Sequence, residues 1–266
     1  MSETTVKEAK MPAPAVPSAT ILMLRDGSDG LEVFMVVRHH QIDFASGALV
    51  FPGGKVASGD DAVRSQCTGV DGLNDVELEL RVGAIREAFE ECGILLARPK
   101  GQDVLISGDR LAELEHYREP LAKGKMTIKE FLDREELVLA CELLQQFAHW
   151  ITPENMPKRF DTHFYLAVAP ADHVALHDGH ESVDSVWIKP QTALAEAVEG
   201  KRTIIFPTRL NIEMLGESDS VDNAMEMARQ RDIVTVLPHI EKRETGAWLC
   251  IPPEAGYSVS EEKLTR

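Results

Sequence analysis

The chain has 266 residues, of which 44% are hydrophobic and 27% charged, so it is long and apolar enough to bury a core without disulfide or zinc staples. Its 28 Lys and Arg residues against 44 Asp and Glu residues give a formal net charge of −16. Such acidity disfavours binding to nucleic acid or to an anionic membrane, since both require a positive surface, and a phosphate-bearing substrate would need another attraction, such as a divalent cation.

The first part of the sequence predicts a flexible leader over residues 1–17, which are rich in Pro, Ala and polar residues. Acidic residues and prolines stand there in place of the apolar run of a signal peptide, and no apolar run is long enough to span a bilayer. The four cysteines form no CxxC pair, which favours reduced thiols. We therefore predict a cytoplasmic protein that contacts no membrane.

The folded part is predicted to begin with a β-hairpin. The apolar, β-branched runs ATILMLRD and LEVFMVVRHH (residues 19–26 and 31–40) flank the turn sequence GSDG. A third short run, ALVFP, ends at Gly53-Gly54.

A helix is predicted to begin after Asn74, because Asn74 and Glu77 form the pattern of a capping box. It is predicted to end at Gly93, a typical C-terminal cap. Apolar side chains recur on one face of this helix at Ile85, Ala88, Phe89 and Cys92.

The second half of the chain alternates between helical and strand patterns. Charged, helix-favouring segments predict a helical insertion at about residues 107–150. The further strands are predicted in THFYLAVAP, SVDSVWIKP, IVTVLPHI and AWLCIPP, and the further helices in TALAEAVEG and residues 221–230. This order predicts an α+β fold with a mixed β-sheet packed between helices, a single domain over residues 18–257 and a tail over residues 258–266.

The predicted helix carries a cluster of carboxylates. Glu87, Glu90 and Glu91 are spaced i, i+3 and i+4 and so share one face, with Arg86 beside them. Three carboxylates on a helix anchored in the core suit a magnesium or manganese ion, which prefers oxygen ligands. The alternative for this segment taken alone is a solvated acidic face.

Upstream of the helix stands a Pro-Gly-Gly turn within Phe51-Pro52-Gly53-Gly54-Lys55, followed by Asp60. It is not a phosphate-binding GxxxxGK loop, because residue 49 is a leucine where that motif needs glycine. Taken alone, the segment predicts an ordinary turn.

Together the two segments resemble the Nudix box, G-x5-E-x7-R-E-U-x-E-E-x-G-U, in which U is aliphatic. Gly54 matches the opening glycine, and Asp60 stands where the first glutamate belongs. The second half is matched by Arg86, Glu87, Glu90, Glu91, Gly93 and Ile94, with Ala88 at the aliphatic position.

The box is interrupted in this chain. Between Asp60 and Arg86 stand 25 residues where the pattern has seven, which makes an insertion of 18 residues. Residues 61–73 hold few apolar side chains and are expected to lie outside the core. The interrupted box, with WITP at 150–153 and RFDT at 159–162, resembles the Nudix branch of the peroxisomal coenzyme A diphosphatases and their bacterial relatives.

This resemblance implies a Nudix-type αβα sandwich and hydrolysis of a diphosphate by a Mg²⁺- or Mn²⁺-dependent enzyme. The implied metal ligands are the three glutamates and the backbone of Gly53, with Arg86 orienting the carboxylates. Either Glu87 or Glu181 would be the general base. A homodimer is a further expectation from the resemblance.

Coenzyme A, or an acyl derivative of it, is the first substrate that the resemblance suggests. A second motif of coenzyme A hydrolases, LLTxR[SA]x3Rx3Gx3FPGG, is matched in part by Arg38, Gly47 and FPGG, but His39 and Asp43 depart from it. Gly54 and Lys55 are further candidate substrate contacts. The alternative substrate is ADP-ribose or a nucleotide sugar. The alternative function is that of a catalytically silent Nudix-fold binding module. For Arg38, the alternative to substrate binding is an ordinary surface cation.

The histidines His173, His177 and His180 lie close together in sequence, and a zinc site is one interpretation of this cluster. The segment is rich in turn residues and has no cysteine nearby, so the sequence favours a polar surface loop.

Overall fold

A computed structural model describes residues 11–38, 47–179 and 182–264 of the chain. The strands in these residues are β1 (Ala15–Gly27), β2 (Gly30–Arg38), β3 (Leu49–Val50), β4 (Gly53–Lys55), β5 (Cys67–Thr68), β6 (Ala97–Pro99), β7 (Leu137–Ala140), β8 (Gln145–Ile151), β9 (Arg159–Val168), β10 (Ser182–Ile188), β11 (Thr235–Val236), β12 (His239–Arg243), β13 (Gly246–Cys250) and β14 (Glu261–Lys263). The α-helices are α1 (Asp75–Cys92), α2 (Gly108–Leu114), α3 (Arg118–Ala122), α4 (Ile128–Glu135), α5 (Pro190–Val198), α6 (Phe206–Leu215) and α7 (Val221–Gln230).

The largest sheet is mixed and has the strand order β10-β2-β1-β9-β8-β11, with β3 paired to β2 and β4 paired to β1. The pairs β1–β9 and β8–β11 are parallel, and the other pairs in this sheet are antiparallel. Two three-stranded sheets accompany it, in the orders β12-β13-β14 and β5-β7-β6.

Strand β1 lies in the middle of the large sheet and is covered on both faces. Ile21 and Met23 pack into one hydrophobic core, while Leu22 and Leu24 pack into the other. The unbroken apolar run of this strand therefore reflects a strand buried on both sides rather than one that alternates between core and solvent.

The two cores define three layers. Side chains of α1, α2 and α4 join the core on one face of the sheet, and side chains of α5, α6 and α7 join the core on the other. The predicted αβα sandwich with a mixed sheet is thus confirmed, with the helices α2 to α4 as the extra helical segment. None of the helices in the described ranges has both the length and the apolar character that a membrane span requires.

Helix α1 has the predicted boundaries, because both are set by local chemistry. The Asn74 side chain accepts a hydrogen bond from the Glu77 amide, and the Glu77 side chain accepts one from the Asn74 amide. At the other end Gly93 has φ +69°, the left-handed conformation that glycine adopts without steric cost.

The segment from β3 to β4 passes from one strand of the hairpin to the other. Val36 of β2 pairs with Val50, and Ala19 of β1 pairs with Gly54. Ala19 belongs to the core on the α1 face, so Gly54, its cross-strand neighbour, also faces α1. This crossing places Gly53 and Gly54, which open strand β4, directly against the helix that carries the glutamates. We call this pair the Gly53-Gly54 turn, because the chain turns there from β3 into β4.

The prediction of a helical insertion over residues 107–150 is wrong in its second half. Helix α4 ends at Glu135, and β7 and most of β8 follow within that range. Helix α6 was not predicted. Strand β8 pairs with β9 over six residue pairs, and such long-range pairing overrides the helical preference of its local sequence.

The proposed leader and tail also contribute to the structure. Strand β1 begins at Ala15, and the Ala13 carbonyl accepts a hydrogen bond of 2.7 Å from Arg159 Nη1. Strand β14 lies within residues 258–266 and pairs with β13. The prediction of a flexible leader is therefore wrong for residues 13–17, and the predicted tail contains a strand of the smaller sheet.

The expectation that residues 61–73 lie outside the core is wrong. A 3₁₀ helix spans Asp60–Gln66, and Val63 is fully buried in the α1-side core together with Val70. Cys67 lies in β5, which pairs with β7. The segment has few apolar residues, but two of them, Val63 and Val70, are buried and attach it to the core.

We expect Val63→Ala to lower the free energy of unfolding by about 2 kcal/mol, because it removes two buried methyl groups and leaves a cavity. Chemical denaturation followed by circular dichroism measures this loss. The matched control is Val104→Ala, since Val104 is 74% exposed and its truncation should change stability by less than about 0.5 kcal/mol. Equal effects of the two substitutions would show that residues 61–73 do not anchor the fold.

Candidate active site

The three glutamates of α1, which we call the α1 carboxylates (Glu87, Glu90 and Glu91), are buried. Their exposed fractions are 9%, 6% and 6%. Every residue of the helix from Val82 to Cys92 is buried. A solvated acidic face, the alternative for this segment, is therefore excluded.

Helix α1 is buried because both of its faces are covered by other parts of the chain. The apolar face sits in the core through Ile85, Ala88, Phe89 and Cys92, all fully buried. The acidic face is covered by the Gly53-Gly54 turn and by the segment around Asp60. Burial raises the pKa of the Cys92 thiol, with the nearby Glu91 charge adding to the effect, so this cysteine serves as an apolar anchor.

Arg86 holds the acidic face together through its guanidinium. Its Nη1 donates to Glu87 Oε1 at 2.9 Å and to both carboxylate oxygens of Glu90 at 3.1 Å. Its Nε and Nη2 donate to the Asp60 carboxylate at 3.2–3.3 Å, and Nη2 also donates to the Lys55 carbonyl at 2.8 Å. One side chain thus fixes two α1 carboxylates relative to the turn.

Electrostatic attraction, as well as hydrogen bonding, holds Arg86 against the carboxylates around it. Burial alone would lower the pKa of Arg86, but the carboxylates of Glu87, Asp60 and Glu90 outweigh it and raise the pKa well above its usual value. Four carboxylates with one guanidinium carry a formal charge of −4 + 1 = −3 when ionised. Such a concentration of negative charge in a poorly solvated place favours the binding of cations.

The turn holds the remaining α1 carboxylate and approaches Glu87. The Gly53 amide donates to Glu91 Oε2 at 2.9 Å. A Cβ atom on Gly54 would lie 2.5 Å from Glu87 Oε1, so only glycine lets the carboxylate come this close. The Glu87 and Glu91 carboxylates therefore meet at the same dipeptide, where the backbone of Gly53 is also within reach.

This set of donors fits a hard divalent cation. Carboxylate oxygens from three side chains and a backbone segment offer the oxygen ligands that Mg²⁺ and Mn²⁺ prefer. The carboxylates are already held by hydrogen bonds from Arg86 and Gly53, as outer partners hold ligands in metal sites.

Asp60 stands where the sequence pattern has a glutamate, and the structure gives it a positioning role. It is 1% exposed, and its Oδ2 accepts from the Ala57 amide at 2.9 Å as well as from Arg86. Its carboxylate is thus fixed to its own loop and, across 26 positions of sequence, to α1. The interruption of the box does not separate its two halves in space.

Arg118 is a residue near the site that the sequence did not single out. From α3, its Nε donates to the Glu90 carbonyl at 3.1 Å, and its Nη2 donates to the Leu176 carbonyl at 3.0 Å. A guanidinium at the C-terminal end of α1 satisfies a terminal carbonyl and complements the helix dipole. Nothing in the local sequence signals this contact, because it joins two distant segments.

The other predicted site residues lie around this turn or outside the described residues. Arg38 ends β2 on the face that Val36 presents to α1, and its buried Nε has no hydrogen-bond partner among the described residues. Lys55 follows the turn with an exposed side chain, and its carbonyl accepts from Arg86. Glu181, like His39 and Asp43, lies outside the described residues.

The histidines singled out from the sequence do not form a site among the described residues. His173 is buried, and its Nε2 bonds the Ile106 carbonyl at 2.9 Å, so the expected surface loop is wrong for this residue. His177 bonds the Ser185 hydroxyl through Nδ1 at 3.0 Å, and His180 lies outside the described residues. His173 thus links its loop to the segment before α2.

Comparison with known proteins assigns this architecture to a family. The family model described as the NUDT19 Nudix domain matches residues 68–212, more than half of the chain. Among solved structures, a NUDIX hydrolase from Alicyclobacillus acidocaldarius is similar with a TM-score of 0.67 and 27% identity, covering 80% of this chain and 96% of that one.

Curated relatives point to the same family. The chain is 26% identical over 185 residues to a putative nudix hydrolase 7 of Caenorhabditis elegans, covering 70% of this chain and 56% of that protein. It is 24% identical over 213 residues to the acyl-coenzyme A diphosphatase NUDT19 of Xenopus laevis, covering 65% of this chain and 56% of that protein. The chain thus spans little more than half the length of these two relatives.

We expect Gly54→Ala to lower the affinity for Mn²⁺ about 10- to 100-fold while the protein stays folded. The three atoms nearest to the added Cβ are the carboxylate atoms of Glu87, at 2.5–2.7 Å, so this side chain must leave its position and its hydrogen bond to Arg86. Titration with Mn²⁺ followed by electron paramagnetic resonance measures the affinity.

The control for this substitution is Gly83→Ala in the same helix. Its Cβ would meet its neighbours at 3.4 Å or more, which is ordinary contact, and alanine favours a helix interior over glycine by about 1 kcal/mol. Gly83→Ala should therefore keep the affinity for Mn²⁺. Unchanged affinity in Gly54→Ala would contradict the placement of the cation at this turn.

Proposed function

This chain belongs to the Nudix hydrolase family, in the branch of the NUDT19 Nudix domain, and from that premise we propose that it is a divalent-metal-dependent diphosphohydrolase. Its proposed substrate is a nucleoside diphosphate linked to another moiety, with coenzyme A or an acyl-coenzyme A as the first choice. The observation that carries the proposal is the convergence of the buried α1 carboxylates on the Gly53-Gly54 turn.

The proposed cofactor is Mg²⁺ or Mn²⁺, held by the α1 carboxylates and the Gly53 carbonyl. When bound there, such a cation neutralises the diphosphate oxygens and acidifies a water molecule for attack on phosphorus. The charge of the protein supports this choice, because an acidic chain without local cations would repel a diphosphate.

The residues of the chain have separate proposed roles. Arg86 orients Glu87 and Glu90 through its hydrogen bonds, and the Gly53 amide orients Glu91. Glu87 accepts the proton of the attacking water, with Glu181 as the alternative base from the sequence. Arg38 and Lys55 bind the anionic substrate beside the turn.

Coenzyme A is supported as a substrate by two independent features. Relatives from Xenopus laevis and Gallus gallus carry the name acyl-coenzyme A diphosphatase, at 24% and 30% identity over parts of their length. Arg38 has a buried Nε with no hydrogen-bond partner among the described residues, which suits it to receive a phosphate. Cytoplasmic localisation and a homodimer stay predictions from the sequence.

We expect Glu91→Gln to lower kcat/KM about a hundredfold or more, because it removes one metal-binding charge while keeping the shape of the side chain. The measurement is hydrolysis of coenzyme A at limiting Mg²⁺, with the two halves of the cleaved diphosphate identified by mass spectrometry. The control is Glu79→Gln on the same helix, which lies outside the contacts of Arg86 and should keep most of the activity. Wild-type turnover by Glu91→Gln would refute the assignment of the metal site.

A substrate panel separates the proposed function from its alternatives. Coenzyme A, acetyl-coenzyme A, ADP-ribose and a nucleotide sugar are compared at equal concentration with Mg²⁺ and with Mn²⁺. We expect the highest kcat/KM for coenzyme A or its acyl derivative. A preference for ADP-ribose would show that the substrate is ADP-ribose and not coenzyme A. Binding of a compound without hydrolysis of any of them would indicate a catalytically silent binding module.

We expect Arg38→Ala to lower kcat/KM for coenzyme A about 10- to 100-fold, the value of one charge-assisted hydrogen bond of about 1.5–3 kcal/mol. Arg38→Lys should recover part of this loss, since lysine keeps the charge but not the bidentate geometry. Kinetics with coenzyme A and with its 3′-dephospho form locate the contact.

The comparison between these two substrates decides the role of Arg38. A larger loss with coenzyme A would place Arg38 at the 3′-phosphate, whereas equal losses would assign it to the diphosphate or to folding. Arg229→Ala is the control, because Arg229 is an exposed arginine on α7, on the other side of the sheet.

A further inference from the structure

A second group of metal-ligand side chains lies on the large sheet, apart from the α1 carboxylates. His149 of β8 and His163 of β9 are direct cross-strand partners, and Asp161 lies two residues before His163 on the same face. One ligand atom from each of the three side chains falls within 4.8 Å of the other two. We call this group the β8–β9 cluster.

One nitrogen of each imidazole lies near the same carboxylate oxygen. His149 Nε2 lies 2.5 Å from Asp161 Oδ1, and His163 Nε2 lies 3.8 Å from the same atom. The two rings stack with their centroids 3.9 Å apart. Ligand atoms bound to one tetrahedral zinc ion lie about 3.4 Å apart, given bonds of about 2.1 Å, so these three need only small shifts to share an ion.

The outer nitrogen of each ring already has a partner. His149 Nδ1 lies 2.7 Å from the Thr235 hydroxyl, and His163 Nδ1 lies 3.3 Å from the side-chain amide of Gln146. The oxygen and nitrogen of such an amide can exchange places by a flip, so the Gln146 side-chain oxygen can accept a hydrogen bond from Nδ1–H. Metal-binding histidines typically have such partners, which leave Nε2 to the metal.

The cluster can be reached from solvent. The side chains are 15%, 36% and 21% exposed for His149, Asp161 and His163, so an ion can enter.

We propose that the β8–β9 cluster is a second cation site, specific for a transition metal of the zinc type. Two imidazole nitrogens and one carboxylate oxygen favour Zn²⁺, Co²⁺ or Ni²⁺ over Mg²⁺, which prefers oxygen ligands. The site joins β8 to β9 and, through Thr235, to β11. His163 shares a row of the sheet with Ala19 and Gly54, which places the site about 10 Å from the Gly53-Gly54 turn.

A second trio, His239, Glu241 and Cys250, has similar spacing but contains a fixed positive charge. The Arg243 guanidinium already lies within it, with Nη2 2.7 Å from Glu241 Oε2 and 3.7 Å from Cys250 Sγ. A fixed positive charge in this place competes with a metal ion.

The test uses the full chain, stripped of metal and then titrated with Zn²⁺ by calorimetry in excess Mg²⁺, which occupies oxygen-ligand sites. We expect one Zn²⁺ per chain to bind despite the Mg²⁺ and to raise Tm, because the ion binds only the folded state. In parallel, long-range ¹H–¹⁵N spectra should show the ring signals of His149 and His163 shifting on addition of Zn²⁺.

Four variants complete the experiment. His149→Gln/His163→Gln should weaken Zn²⁺ binding at least tenfold, whereas His116→Gln, an exposed histidine on another element, should bind as wild type does. Glu91→Gln should also bind Zn²⁺ as wild type, which separates this site from the proposed catalytic metal site. If the double variant fails to fold, Asp161→Asn replaces it as the test. This variant keeps both imidazole rings and should weaken Zn²⁺ binding.

Wild-type affinity for Zn²⁺ in the double variant would overturn the proposal. Ring signals of His149 and His163 that do not respond to Zn²⁺ in the unmodified protein would overturn it without any substitution. Neither result depends on whether the chain hydrolyses a diphosphate.

Discussion

The ion-pair network of Arg86 is the interaction on which the candidate site depends. Buried carboxylates repel one another and lose hydration, a cost of several kcal/mol per ion unless partners compensate it. Arg86 compensates two of the α1 carboxylates and at the same time grips Asp60 and the Lys55 carbonyl. The acidic face of α1 can therefore be covered by the turn instead of facing solvent, and its carboxylates have defined positions before any ligand arrives.

Two segments that interrupt or follow the box support this arrangement. The insertion after Asp60 anchors itself through Val63, which places the aspartate firmly against Arg86. The helical segment that follows α1 supplies Arg118, which binds a carbonyl at the end of that helix. Both ends of the functional part of α1 are thus fixed by residues far away in sequence, and the long interruption leaves the geometry of the two halves intact.

The distribution of charge fits a protein whose ligands are cations. The net charge of −16 makes the whole chain attractive to divalent ions, and the α1 carboxylates concentrate part of that charge in one buried place. The β8–β9 cluster differs in chemistry, since two of its three ligand groups are imidazoles. The β8–β9 cluster lies in the row of the sheet that also contains Gly54, two strands away from the turn that the α1 carboxylates contact.

The sequence alone determined the features that depend on residues a few positions apart. The capping box at Asn74, the glycine at position 93 and the helical spacing of the α1 carboxylates set the helix and its acidic face, because these signals act within one or two turns. The box pattern indicated the candidate site, because the residues within each of its halves lie close together in sequence.

Only the tertiary structure decided what depends on distant partners. Four features join segments that no local pattern connects. They are the burial of Val63, the contact between Asp60 and Arg86, the strand conformation of residues 145–151 and the pairing of His149 with His163. Local conformational preferences are weak by themselves, and strand pairing and core packing select among them. The local sequence therefore does not determine these four features.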